Sequence, residues 1–343
     1  MRTCIAIFFV LGLISSYPVT ADDIKQLNAD SLDKALPANI IAAISNATST
    51  ETIYPISGDE RFEGQILKAD EIVFAPGATL TLSKRPIQWV AVVAKRIKFA
   101  DPSKRSVIQF EKRIGSKGSI GNRGINGADN RGETGRTGNP GGHGTTGEDG
   151  GSPFTVVVPK IYLIAGEFLS PDGEPLLGSL KLALKFPGID GGEGGKGGDG
   201  GNGGKAGNGK VGASSAFDCK EGGGHGGDGG NSGSGGRGGN GAKGGNGADL
   251  TLVSFKAGIE LLSYANIVNT GGYGGRGGEP GRAGNPGRGG SGADQNGWCG
   301  PTSDGYDGKR PDPRDGGMGD DGIDGDKGTV TAITVNSLAP IFE

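Results

Sequence analysis

Histidine, cysteine, aromatic side chains and long apolar runs are all scarce in this chain. Only 2 His and 3 Cys occur in 343 residues, and aromatics make up 6%. The histidines, His143 and His225, have no cysteine or second histidine at ligand spacing, so no zinc site is expected and both read as solvated side chains. No Gly-Lys-Ser/Thr follows a phosphate-loop spacing. The Gly-x-Gly-x-x-Gly matches that arise from composition lack the strand, helix and acidic residue of a dinucleotide site. The calcium nonapeptide fails too, because the glycine repeats lack its apolar position. No cofactor or metal is expected. Paired catalytic carboxylates need a cleft and an apolar shell, and nothing in the sequence supplies one, so the chain reads as non-enzymatic.

No apolar run approaches the ~20 residues needed to span a bilayer. The stretch from Ile5 to Ile14 follows Arg2 and precedes Val19-Thr20-Ala21, the pattern of a secretory signal (1–21) cleaved before Asp22. Export implies a secreted, extracellular or bacterial cell-surface protein. Cys4 leaves with the signal, and Cys219 and Cys299 remain as an even pair in an oxidising compartment, which predicts a disulfide. Arg2 is the only one of the 35 basic residues lost, against 38 acidic ones. A near-neutral chain of mixed sign argues against nucleic-acid binding and against a polybasic membrane surface. Asn46-Ala47-Thr48 matches a glycosylation acceptor.

What the chain has in abundance is glycine, 74 residues of it. Residues 22–50 predict a helical cap, with Asp30 or Ser31 ahead of Leu32, Leu36, Ile40, Ile41 and Ile44, and with Pro37 marking a break or a second start. A cap of this kind suits the open end of a repeat body. Residues 51–114 read as short β bursts: Gly64 to Leu67, Glu71 to Phe74, Ala78 to Leu82, Trp89 to Val93, Arg96 to Phe99 and Val107 to Phe110. Turn residues such as Ala75-Pro76-Gly77 and Asp101-Pro102-Ser103 lie among them. This predicts an all-β body resembling a parallel β-solenoid, with a sandwich as the rival. Further β segments lie at 154–186 and 250–268, and a C-terminal strand at 329–343.

Glycine triplets fill residues 115–328 between these segments. From Gly115 to Gly150 there is one Gly in three, the collagen-type period. Residues 191–208, 223–249 and 271–294 instead repeat Gly-Gly-X in 6, 9 and 8 triplets. The exceptions at the two Gly positions are Ala206, Ser232, Ala242, Ala248, Pro280, Ala283, Pro286 and Ala293, all small or proline. A flexible linker has no reason to hold this phase, whereas a left-handed helix of three residues per turn gives each triplet position its own face. Two bare faces then meet neighbours and the X face meets water. Ordering glycine is entropically expensive and such a helix has no internal hydrogen bonds, so the arms must associate.

In these triplets the chain resembles the polyglycine-II bundle proteins, known from tip adhesins of some phages and from a snow flea antifreeze protein. A bacterial collagen-like protein is the second choice. The resemblance implies an inserted polyglycine-II/polyproline-II helix bundle of six antiparallel helices running out and back. Gly115 to Gly127 turns at Ala128 to Arg131 into Gly132 to Gly150; 191–208 returns as 223–249; Gly271 to Asp294 returns as Gly316 to Gly328. Cys219 and Cys299 then meet at the distal tip with Phe217, Trp298 and Tyr306, a candidate contact surface for a glycan or protein partner. The acidic cluster Asp315, Asp320, Asp321, Asp324 and Asp326 reads as a solvated face or a weak calcium site. The expected function is structural or adhesive, and the alternatives are a β-helix enzyme acting on polysaccharide or an ice-binding protein. In an exporting host the mature chain should begin at Asp22, and an intact mass that still includes Met1 to Ala21 would refute the signal.

Overall fold

A computed structural model describes residues 24–49, 51–82, 88–110, 114–130, 158–176, 180–262, 264–312 and 316–343. The elements run β1 (Ile24–Asn28), α1 (Leu32–Ala35), α2 (Ala38–Asn46), β2 (Glu51–Ile56), β3 (Asp59–Phe62), β4 (Ile66–Phe74), β5 (Thr79–Leu82), β6 (Trp89–Phe99) and β7 (Ser106–Phe110). They continue with β8 (Lys160–Leu169), β9 (Leu182–Lys185), β10 (Ala213–Ser214), β11 (Cys219–Glu221), β12 (Leu250–Ser254), α3 (Lys256–Leu262), β13 (Asn266–Val268), β14 (Val330–Thr334) and α4 (Ala339–Phe342). One sheet has seven strands in the order β1-β14-β12-β8-β6-β4-β2, and the other five in the order β13-β9-β7-β5-β3. All pairings in both are parallel. From β2 to β9 the chain alternates between the sheets, each strand of one serving as the crossover between two parallel strands of the other.

Local chemistry explains the corners and the core. At Ala75–Ala78 the Ala78 N–H donates to the Ala75 carbonyl at 3.1 Å, with Pro76 second and Gly77 third at φ 76°, the residue order of a type II turn. The bursts Gly64 to Leu67 and Glu71 to Phe74 fuse into β4, and those at 89–93 and 96–99 fuse into β6. Across the junctions runs a ladder of ion pairs, Lys95 to Asp70 at 2.9 Å and Arg96 to Glu71 at 3.6 Å. Phe74 stacks on Phe99 at 5.3 Å between the sheets, and Phe110 meets Phe186 edge-on at 5.6 Å. Among the described residues β2 is the last strand of its sheet. The Ile56 carbonyl faces β4, accepting the Ala75 N–H, so the preceding Pro55 faces outward, where its missing N–H discourages strand addition.

The N-terminal segment departs from the expected cap. Ile24–Asn28 is a strand paired with β14, so the first and last strands of the chain are neighbours. α1 and α2 lie across the outer face of the seven-stranded sheet, where Leu32, Leu36, Ile40 and Ile44 pack with Val93, Tyr162, Ile164 and Val253, and Ile341 of α4 joins them. The physical reason is that these central strands are apolar on both faces, and the outer face also needs cover from water. Lys68 fixes the arrangement. Its buried ammonium group donates to the carbonyls of Ile44, Ser45 and Ala47 at 3.0, 3.3 and 3.2 Å, at the C-terminal end of α2 and its cap. Desolvation pushes its pKa below the ordinary lysine value.

The glycine segments leave the body after β7, β9 and β13 and re-enter it at β12 and β14. Arm 1 covers 114–130, arm 2 186–210, arm 3 224–249, arm 4 269–293 and arm 5 302–312 with 316–328. Their backbone bonds recur every third residue. Gly118, Gly121 and Gly124 of arm 1 donate to Glu193, Lys196 and Asp199 of arm 2, and Gly191, Gly194 and Gly197 of arm 2 donate to Tyr273, Arg276 and Glu279 of arm 4. Rising numbers on both sides make arms 1, 2 and 4 mutually parallel. Gly227, Gly230 and Gly233 of arm 3 donate to Gly207, Gly204 and Gly201 of arm 2, which makes arm 3 antiparallel to it. Arm 5 runs with arm 3 and against arm 4, as Gly241 to Asp320 and Gly322 to Gly275 show.

Two routing expectations need correction. Arm 1 does not turn at Ala128, since the Asn130 N–H still donates in register to the Lys205 carbonyl at 2.9 Å. The last return begins at Thr302 rather than Gly316, with the Thr302 N–H already on the Ala293 carbonyl at 2.9 Å. Residues 132–150 and Asp315 lie outside the described residues.

Glycine content follows the number of neighbours. Among the described residues, arms 2, 3 and 4 each touch three others and repeat Gly-Gly-X, whereas arms 1 and 5 touch fewer and mostly keep one glycine per triplet. A Cβ on Gly278 would overlap the Gly195 carbonyl, and one on Gly194 the Gly239 carbonyl. The expectation that X side chains face only water is also revised. Asn and Asp at X accept a backbone N–H from the adjacent arm, as Asn202 does from Asn285 at 2.9 Å and Asn240 from Asp320 at 2.9 Å. The marginal N–H groups are thereby satisfied by side chains. Gly278→Ala should lower stability by roughly 1–3 kcal/mol through overpacking, and Asn240→Ala by about 1 kcal/mol through the lost acceptor. Gly300→Ala, whose Cβ would meet nothing within 4 Å, should be silent. Equal thermal shifts for all three would contradict this account.

Candidate functional site

The distal end of the arms concentrates the features that the rest of the arms lack. Beyond arm 2 the chain forms a small antiparallel hairpin, with Ala213 opposite Glu221 and Ser214 opposite Cys219. The Ser215 N–H closes it on the Asp218 carbonyl at 2.7 Å. Beyond arm 4, Asn296 and Cys299 exchange backbone hydrogen bonds of 3.0 Å in each direction around Gly297 at φ 59°. Glycine is required there twice over, by the left-handed backbone and because a Cβ would overlap the Ser214 hydroxyl.

The disulfide predicted between Cys219 and Cys299 joins these two connections, with Cα atoms 4.8 Å apart and a sequence separation of 80. Polar contacts reinforce it. The Trp298 N–H donates to Ser214 Oγ at 3.0 Å, the Asn296 amide donates to the Gly212 carbonyl at 2.8 Å, and the Trp298 indole N–H donates to the Ala216 carbonyl at 2.9 Å. The indole is thus tethered at its polar edge while the residue stays 65% exposed, and Phe217, next to the accepting Ala216, is 90% exposed.

Of the three aromatics assigned to the tip, the structure gathers Trp298 and Phe217 there and leaves Tyr306 on the flank. Tyr306 belongs to arm 5, its N–H bound to Asp228 Oδ1 at 2.8 Å and its carbonyl to the Gly229 N–H at 2.8 Å. Ser214 and Asn296 escaped sequence reasoning. Asn296-Gly297 is a turn dipeptide that could have flagged the second loop, while the role of Ser214 depends on a residue 84 positions away.

The other sequence candidates have structural partners. His225 Nδ1 lies 2.8 Å from Ser303 Oγ. In the acidic cluster, Asp321 and Asp324 accept the N–H groups of Gly277 and Gly274 at 2.7 Å each, and Asp320 pairs with Arg237 at 2.8 Å. Among the described residues no group of three or more His, Cys, Asp or Glu could hold a metal ion. No described helix is long and apolar enough to cross a membrane. Comparison with family models, with curated proteins and with solved structures found no match.

Replacing both cysteines by serine should lower stability by roughly 4–5 kcal/mol, the chain-entropy value for a loop of this length. Unchanged melting of the double variant would mean that the arms hold the tip without the bond.

Proposed function

We propose that this is a secreted or cell-surface structural and adhesive protein, in which a parallel β-solenoid body carries a rigid polyglycine-II helix bundle whose tip contacts a partner. The period-three cross-links between arms support the polyglycine-II reading. In that geometry, at ~3.1 Å per residue, a 24-residue arm reaches about 75 Å. The observation that carries the function is the tethering of exposed Trp298 to Ala216, next to exposed Phe217, beside a disulfide at the end of such arms. Large aromatics in solvent on a braced loop offer contact area with little ordering entropy left to lose on binding. The signal segment and the disulfide together support export.

A second reading, an enzyme acting on polysaccharide, is favoured by one observation. The outer face of the five-stranded sheet has an open groove lined by Asp59, Glu60, Arg61, Thr81, Gln109 and Lys185. Adhesion of the purified mature chain to a glycan array and to intact cells separates the two. Retention that falls at least about tenfold in Phe217→Ala/Trp298→Ala, with melting unchanged, supports the tip. Retention indifferent to both substitutions, or release of oligosaccharide product, would overturn the reading.

A further inference from the structure

The parallel arms 1, 2 and 4 place their X residues in transverse rows. The clamps fix the registers, from Asn126 to Asn202 and Asp129 to Lys205 with a separation of 76, and from Asp199 to Arg282 and Asn202 to Asn285 with a separation of 83. Asn126, Asn202 and Asn285 therefore form one row, with Asp129, Lys205 and Arg288 beyond it and Arg123, Asp199 and Arg282 before it. The asparagine row and the row beyond it line an open groove on the flank of the arms.

Two features give this groove a chemical preference. Asn126 and Asn202 spend their side-chain oxygens on the neighbouring arm's N–H, so their amide NH2 groups, donors only, are left to the groove. Among the described residues, Arg123, Lys205, Arg282 and Arg288 carry no ion pair. Of the two carboxylates in the same rows, Asp199 is already paired with Lys196 at 3.8 Å, and Asp129 accepts the Lys205 N–H at 2.9 Å. The surface is a field of donors with excess positive charge. It is straight, because the arms are in constant register, and these rows contain no aromatic on which a nucleobase could stack.

We propose that this groove binds an extended acidic polysaccharide, the amide donors holding hydroxyl and carboxylate oxygens and Lys205 and Arg288 pairing with the polymer's anionic groups. The site is separate from the tip and does not depend on the aromatics there.

The test uses the full mature chain in titrations with polygalacturonate, neutral dextran and single-stranded DNA at low and high salt. Polygalacturonate should bind, weaken with salt, and lose about tenfold in affinity in Lys205→Gln/Arg288→Gln. Arg288→Lys should retain most of the affinity, the melting temperature should not move, and Trp298→Ala should leave binding intact. No binding to polygalacturonate, equal binding of dextran or DNA, or binding lost in Trp298→Ala but kept in Lys205→Gln/Arg288→Gln would overturn the proposal. The last of these outcomes would leave the tip reading standing.

Discussion

The hydrogen bond from one arm's N–H to the next arm's carbonyl, repeated every third residue, is the interaction on which the rest depends. At the distances seen here, 2.7 to 3.0 Å for nearly every such bond, two backbones lie too close to admit a Cβ between them. Glycine is therefore the rule at positions facing another arm. Since no arm closes hydrogen bonds within itself, each is ordered only by its neighbours. The alanines that replace glycine at Ala242, Ala248, Ala283 and Ala293 are buried and small, which is the limit that this spacing sets.

The body supplies the starting template for that spacing. β7, β9 and β13 are adjacent parallel strands of the five-stranded sheet, and arms 1, 2 and 4 continue from them in the same order and direction. β12 and β14 are adjacent in the seven-stranded sheet, and arms 3 and 5 feed them. The two layers of arms extend the two sheets, and the ladder crosses the boundary without a break, from Phe186 on Val268 to Gly188 on Thr270. Adjacent strands lie ~4.8 Å apart, so the body presents the arms already at hydrogen-bonding distance. Much of the loop-closure entropy of their long excursions is met by the strands. The disulfide closes the far end, beyond the two large sheets, where it ties the β10–β11 hairpin to the loop after arm 4.

At Asp249, where arm 3 enters β12, the same device meets the body. Burial raises its pKa, but the hydroxyl and N–H of Thr329, at 2.7 and 3.0 Å, and the charge of Lys160 outweigh it and hold the carboxyl below the usual aspartate value. A depressed carboxylate contributes stability above its unfolded pKa and loses it as pH falls through the folded one. This junction therefore weakens in acid, at the position where arm and strand exchange roles.

The triplet phase, the small-residue rule at two positions in three, the β character of the body and the pairing of Cys219 with Cys299 were all legible in the residues. Each follows from local geometry: a three-residue turn repeats a face, and a face without side chains must be covered. The strand fusions in β4 and β6 were not legible, because Asp70 and Lys95 look like breaks until they stand opposite each other. Nor was the clamp chemistry of Asn202 and Asn240, nor the place of Tyr306 on the flank. These depend on which residue, about 80 positions away, arrives alongside. Periodicity fixes what each arm can tolerate on each side. Only the sheets, by the order in which they stack their strands, select which arms become neighbours and in which register.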